Sequence, residues 1–152
     1  MKRSSPFILL ILLLLLVACG SGSTDDDGLI VEGVWGRPLP NMAENGAFYM
    51  TITNNTGQDD VLRSVRSAAC GTAELHRTTV DEDGVMQMRP VEGQTIPISP
   101  GQTVALVPTG LHVMCLDVSQ PFEAGQEIPL TLVFDNAGEM TMNVEIREEA
   151  PE

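Results

Sequence analysis

The chain has 152 residues, 43% of them hydrophobic, and a formal net charge of −13. That is long enough for one domain with its own core and too acidic to approach a phosphate backbone. One tryptophan and one tyrosine leave little surface for base stacking, so nucleic acid is excluded as a partner; three cysteines are too few for a disulfide-built scaffold.

Lys2 and Arg3 precede an apolar run from Phe7 to Ala18, short of the roughly 20 residues that span a bilayer as a helix, so residues 1–18 read as a signal peptide. The run ends in Leu16, Val17, Ala18 and Cys19, which resembles the lipobox at which bacterial lipoproteins are lipidated on cysteine and cleaved just before it. An ordinary signal peptide with a chance cysteine is the competing reading. Residues 19–28, "CGSGSTDDDG", offer no large apolar side chain to pack and read as a flexible acidic tether. Residues 29–147 then form the folded domain and residues 148–152 an acidic tail. These expectations place the protein outside the cytoplasm, in the periplasm or at the cell surface, held to a membrane by lipid.

From Leu29 onward the apolar pattern has period two. Strands are expected at 29–35, 47–54, 60–66, 72–79, 85–91, 103–108, 111–118, 127–134 and 139–146, separated by turn chemistry such as "NNTGQD", "DEDG", "SPGQ" and "NAG". No stretch has a helical period. This pattern predicts an all-β protein, an antiparallel β-sandwich of cupredoxin or immunoglobulin Greek-key type.

The two histidines, His76 and His112, each fall in a strand near methionine. In "LHVMCLDV" alternation puts His112 and Met114 on one face and Cys115 on the other. His76 lies in a predicted hairpin with the turn "DEDG"; centred on Glu82, it sets His76 opposite Met88 and Thr78 opposite Met86. Two imidazoles and two thioethers are donors for Cu(I): thioether sulfur is soft, whereas calcium and magnesium want oxygen and zinc prefers thiolate, histidine or carboxylate. The competing reading makes the methionines core filler, as expected for Met42, Met50, Met140 and Met142. No catalytic set emerges, since no third histidine is free to act as a base, and the acidic patches read as solvated turns. A carrier is expected, not an enzyme.

Between about Gly46 and Val144 the chain resembles the PCuAC family of extracytoplasmic copper(I) chaperones. The matching stretches are "GAFYMTITNNTG", "AELHRT", "DGVMQMRPV", "IPISPGQTVAL", "GLHVM" and "PLTLVF". That family's signature is a histidine, ten residues, a methionine, about twenty-one residues and then His-x-Met. His76, Met88, His112 and Met114 take those places with slightly longer gaps. Both insertions fall in turns. The longer first gap leaves Met86 as an alternative to Met88. The resemblance implies a cupredoxin-like sandwich with a shallow, partly exposed Cu(I) site. It also implies delivery of copper to the binuclear centre of a cytochrome c oxidase subunit, or to a thiol-bearing assembly factor. A general envelope copper buffer would use the same ligands, and a lipid-anchored β-sandwich binding module would need no metal.

With Cys19 committed to lipid, Cys70 and Cys115 remain as an even pair in an oxidising setting. A bridge between them would tie the two histidine-bearing segments together and stabilise by about 4 kcal/mol in the chain-entropy picture; two free buried thiols are the alternative. A blue-copper centre is not expected, because Cys115 faces away from His112 and no histidine follows it.

Overall fold

The computed structural model describes residues 28–39 and 43–151. The expected signal peptide, Cys19, nearly all of the expected tether and Met42 lie outside the described residues.

Ten strands form: β1 (Leu29–Gly36), β2 (Asn45–Asn54), β3 (Asp60–Arg66), β4 (Cys70–Val80), β5 (Met86–Pro90), β6 (Ile96–Ile98), β7 (Thr103–Leu106), β8 (Leu111–Val118), β9 (Glu127–Phe134) and β10 (Glu139–Ile146). All nine period-two runs form strands. The alternation reading misses β6, three residues long with Pro97 at its centre. Proline is tolerated there because β6 is an edge, paired among the described residues with β3 alone.

The strands hydrogen-bond in the order β5-β4-β8-β7-β2-β1-β10-β9-β3-β6, with β8 also pairing β2. Most pairings are antiparallel as expected, but β1 runs parallel to β10 and β7 meets β8 in a short parallel contact. Period-two alternation carries no strand direction, so these exceptions leave no local mark. The inward residues of both halves of the curled sheet join one core: Phe48, Ile52, Leu75 and Val113 from one side, Leu62, Leu130, Leu132 and Val144 from the other. This is a cupredoxin-like β-sandwich. Met50 is part of that core, and Met140 and Met142 pack half-buried against it.

Two local devices position the later site. In β1 the register slips between Glu32 and Trp35, where Gly33 takes a left-handed φ of 59°. A bulge of this kind re-aims the next side chain, and Trp35 is buried against Tyr49 with ring centroids 4.8 Å apart. At the far edge, β4 continues past the end of β5. There Gln94 stands in for a strand: its side chain accepts from the Leu75 N–H at 2.8 Å and donates to the Leu75 carbonyl at 3.0 Å. The backbone around His76 is thereby satisfied on both sides.

Cys70 and Cys115 form a disulfide with Cα atoms 5.2 Å apart. It joins the start of β4 to the middle of β8, and the Cys115 side of it is fully buried in the core.

Candidate metal site

The site grows on the face of β4, β8 and β2 that points away from the core. In the antiparallel β4–β8 ladder His76 lies directly opposite His112, Glu74 opposite Met114, and Leu75 opposite Val113. Leu75, Val113 and Cys115 point inward and are essentially unexposed, so parity sends their neighbours His76, His112 and Met114 the other way. The two imidazole centroids are 6.0 Å apart with planes inclined by 58°. On β2, Ala47 is paired with Met114, and its small side chain leaves room for the thioether. Tyr49, on the same face as Ala47, brings its ring to 6.4 Å from His112, and Trp35 backs Tyr49, with the Arg37 guanidinium 5.8 Å above its ring.

The β4–β5 hairpin corrects the expected register. His76 pairs with Pro90, Thr78 with Met88 and Val80 with Met86, a shift of two residues from the arrangement expected. The cause is the turn. Asp81 N–H donates to the Val85 carbonyl, Gly84 N–H to the Asp81 carbonyl, and Val85 N–H to the Asp81 carboxylate at 2.9 Å. Glu82, Asp83 and Gly84 therefore form a three-residue loop, with Gly84 at a φ of 78° that glycine adopts without strain. A shift of two keeps every side chain on its face, so Met88 remains on the histidine side, diagonal to His76.

Met88, His112 and Met114 line one open pocket of about 230 Å³ together with Tyr49, Ala47 and Pro108. His76 is not in its wall but lies beside His112 on the neighbouring strand, 9% exposed against 2% for His112. Met88 is 60% exposed at the mouth. Met86 is outside the pocket, two pairs nearer the hairpin tip.

The hydrogen bonds of the two rings leave a specific pattern. The Gly110 carbonyl lies 3.1 Å from His112 Nδ1; a carbonyl only accepts, so Nδ1 carries the proton and the lone pair sits on Nε2. A carboxylate oxygen of Glu74 lies 2.9 Å from His76 Nε2, so that nitrogen donates and the lone pair of the neutral ring sits on Nδ1. Among the described residues, the buried side-chain polar atoms without a hydrogen-bond partner are His76 Nδ1, His112 Nε2 and the Thr78 hydroxyl. Buried polar atoms are normally paired, and here the exceptions cluster on one face beside two thioethers. Burial pushes the His112 pKa below its usual value; the Gly110 hydrogen bond opposes this, and nearby His76 adds to it. His112 is thus held neutral, the form that ligates.

Among the described residues no group of three His, Cys, Asp or Glu side chains is placed to share a metal, so the donors that converge are nitrogen and thioether sulfur. Cys115 offers no thiolate, being tied to Cys70, and a blue-copper arrangement built on it lacks its defining sulfur ligand. Glu74 is the site residue that sequence reasoning missed. Its signal was available, since it stands two before His76 in a strand and shares its face.

Solved structures with this fold place it in a class. The chain superposes on the copper-bound PCuAC domain from PmoF2 with a TM-score of 0.65 at 25% identity, over 80% of this chain and 93% of that one. The apo PCuAC domain from PmoF1 gives a TM-score of 0.64 at 30% identity over 81% and 94%. Fold and sequence pattern thus define a PCuAC-type domain. Residues 29–146 match the family described as "Putative lipoprotein LpqE-like", and the chain belongs to that family. Among curated relatives, the protein RP573 of Rickettsia prowazekii is 29% identical over 77% of this chain. "Putative lipoprotein Lxx21020" of Leifsonia xyli subsp. xyli is 30% identical over 62%. The matches span 65% and 56% of the length of those two proteins.

Proposed function

We propose that the protein is a copper(I) chaperone of the cell envelope, held to a membrane through lipid on Cys19. In this reading it carries Cu(I) on His76, His112, Met88 and Met114 and delivers it to the copper centre of a cytochrome c oxidase, directly or through a thiol-bearing assembly factor. The observation that carries the proposal is the pair of unpartnered, buried imidazole nitrogens on facing strands, with two thioether side chains on the same face. Neutral nitrogen and thioether sulfur suit a soft monovalent cation. The copper in the related PmoF2 domain and the lipoprotein names of the relatives support the same reading.

Exchange chemistry gives the direction of transfer. Thioethers bind Cu(I) more weakly than thiolates do, so a cysteine-bearing acceptor lies downhill. Neither methionine takes up a proton, and each histidine must be neutral to bind.

Titration of Cu(I) against a competing chelator tests the site. One ion per chain is expected, with His112→Ala and Met114→Ala each weakening affinity by about 10-fold or more. A wild-type protein with no Cu(I) affinity would leave a lipid-anchored binding module without metal. Delivery is tested in a strain lacking the protein: oxidase copper should fall and recover with added copper. Unchanged oxidase copper would instead make the protein an envelope buffer.

A further inference from the structure

We infer that Glu74 is a positioning residue for the copper site: it holds His76 as the Nε2–H tautomer and leaves Nδ1 as the ligating nitrogen. The inference rests on the copper reading above and adds to it an asymmetry, with His76 binding through Nδ1 and His112 through Nε2.

The geometry carries it. Glu74 and His76 are alternate residues of β4 on one face, and the carboxylate lies 2.9 Å from Nε2. Among the described residues the hydrogen-bond partner of the His112 ring is the Gly110 carbonyl, at its Nδ1. Two histidines directly opposite one another are thus tied back through different nitrogens, and the nitrogens left over are the two buried, unpartnered ones. Among the described residues Glu74 pairs with no arginine or lysine; its carboxylate is engaged by the His76 ring. The side chain is 31% exposed, which keeps the carboxylate partly shielded without stranding it. Four neutral donors around a monovalent cation leave a net positive charge in a half-buried place. A carboxylate on the back of one ligand balances that charge and makes the imidazole a better donor.

Long-range ¹⁵N–¹H correlation spectra of the histidine rings test this directly. In metal-free protein His76 is expected as the Nε2–H tautomer and His112 as Nδ1–H. Adding Cu(I) should shift His76 Nδ1 and His112 Nε2. In Glu74→Ala the His76 tautomers should mix and Cu(I) affinity should fall by about 10-fold or more; Glu74→Gln, which keeps an acceptor oxygen without the charge, should hold the tautomer and lose less affinity. A Cu(I) shift on His76 Nε2, or an unchanged His76 tautomer in Glu74→Ala, overturns the inference. If Cu(I) moves neither ring, the copper reading itself fails, while the metal-free tautomer still decides what Glu74 does. Should Glu74→Ala not fold, the wild-type nitrogens decide alone.

Discussion

His112 is a ligand candidate buried to 2% exposure, and its protonation bears on stability and, in the proposed site, on metal retention. Burial disfavours the imidazolium, the Gly110 carbonyl partly offsets this, and His76 across the ladder adds to the penalty. The folded-state pKa is therefore lower than the unfolded-state value of about 6.5. As pH falls through that window the unfolded chain takes up a proton that the folded chain does not, so the contribution is present above about 6.5 and lost on acidification through the folded value. Metal-free protein should show a Tm that drops between about pH 7 and about pH 5, and His112→Gln should drop less over the same range. Circular dichroism melts of the two proteins at matched pH values measure this; parallel pH dependences would contradict it. Copper should flatten the wild-type curve, because a ligated nitrogen must release the ion before it accepts a proton.

At the level of strands, legibility followed how local each cause was. The face of β8 was readable from "LHVMCLDV", because parity alone separates His112 and Met114 from Cys115. The hairpin register was not, since the Asp81 carboxylate selects the loop length by binding the Val85 N–H, a side-chain choice that alternation cannot see. Because the resulting shift is two residues, the faces were right while the partners were wrong. The meeting of His76 with His112 was out of reach for another reason: β4 and β8 are paired across a disulfide loop spanning 45 positions in sequence, and no local pattern encodes that register. The hairpin also separates the two candidate sulfurs. Met86 and Met88 are almost equally exposed, 59% and 60%, yet Met88 lines the pocket opposite Thr78 while Met86 sits opposite Val80, outside it. Met88→Ala should weaken Cu(I) binding by about 10-fold or more and Met86→Ala by less than about 2-fold, read by chelator competition. The reverse order would move the ligand toward the hairpin tip.

For the molecule as a whole, the sandwich sets how open each side of the site is. The histidines are walled by β2, β4 and β8, whereas Met88 lies on β5, an edge strand of the sheet. With copper on the proposed ligands, an incoming ligand would meet it on the thioether side while the imidazoles still hold it. Transfer by such an associative route has a kinetic signature. With a small uncharged thiol chelator, the observed rate should rise in proportion to chelator concentration and exceed the rate of spontaneous copper loss; a plateau independent of chelator would mean that the ion must leave first. The net charge of −13 adds a second term for protein acceptors. A basic acceptor is drawn in by the acidic surface, and salt screens that attraction over a Debye length of about 8 Å at physiological ionic strength. Raising salt should thus slow transfer to a basic, cysteine-bearing acceptor and leave the uncharged chelator unaffected. Stopped-flow traces with both acceptors separate the two terms. Equal salt sensitivity would place the slow step inside the copper site and remove steering from the account.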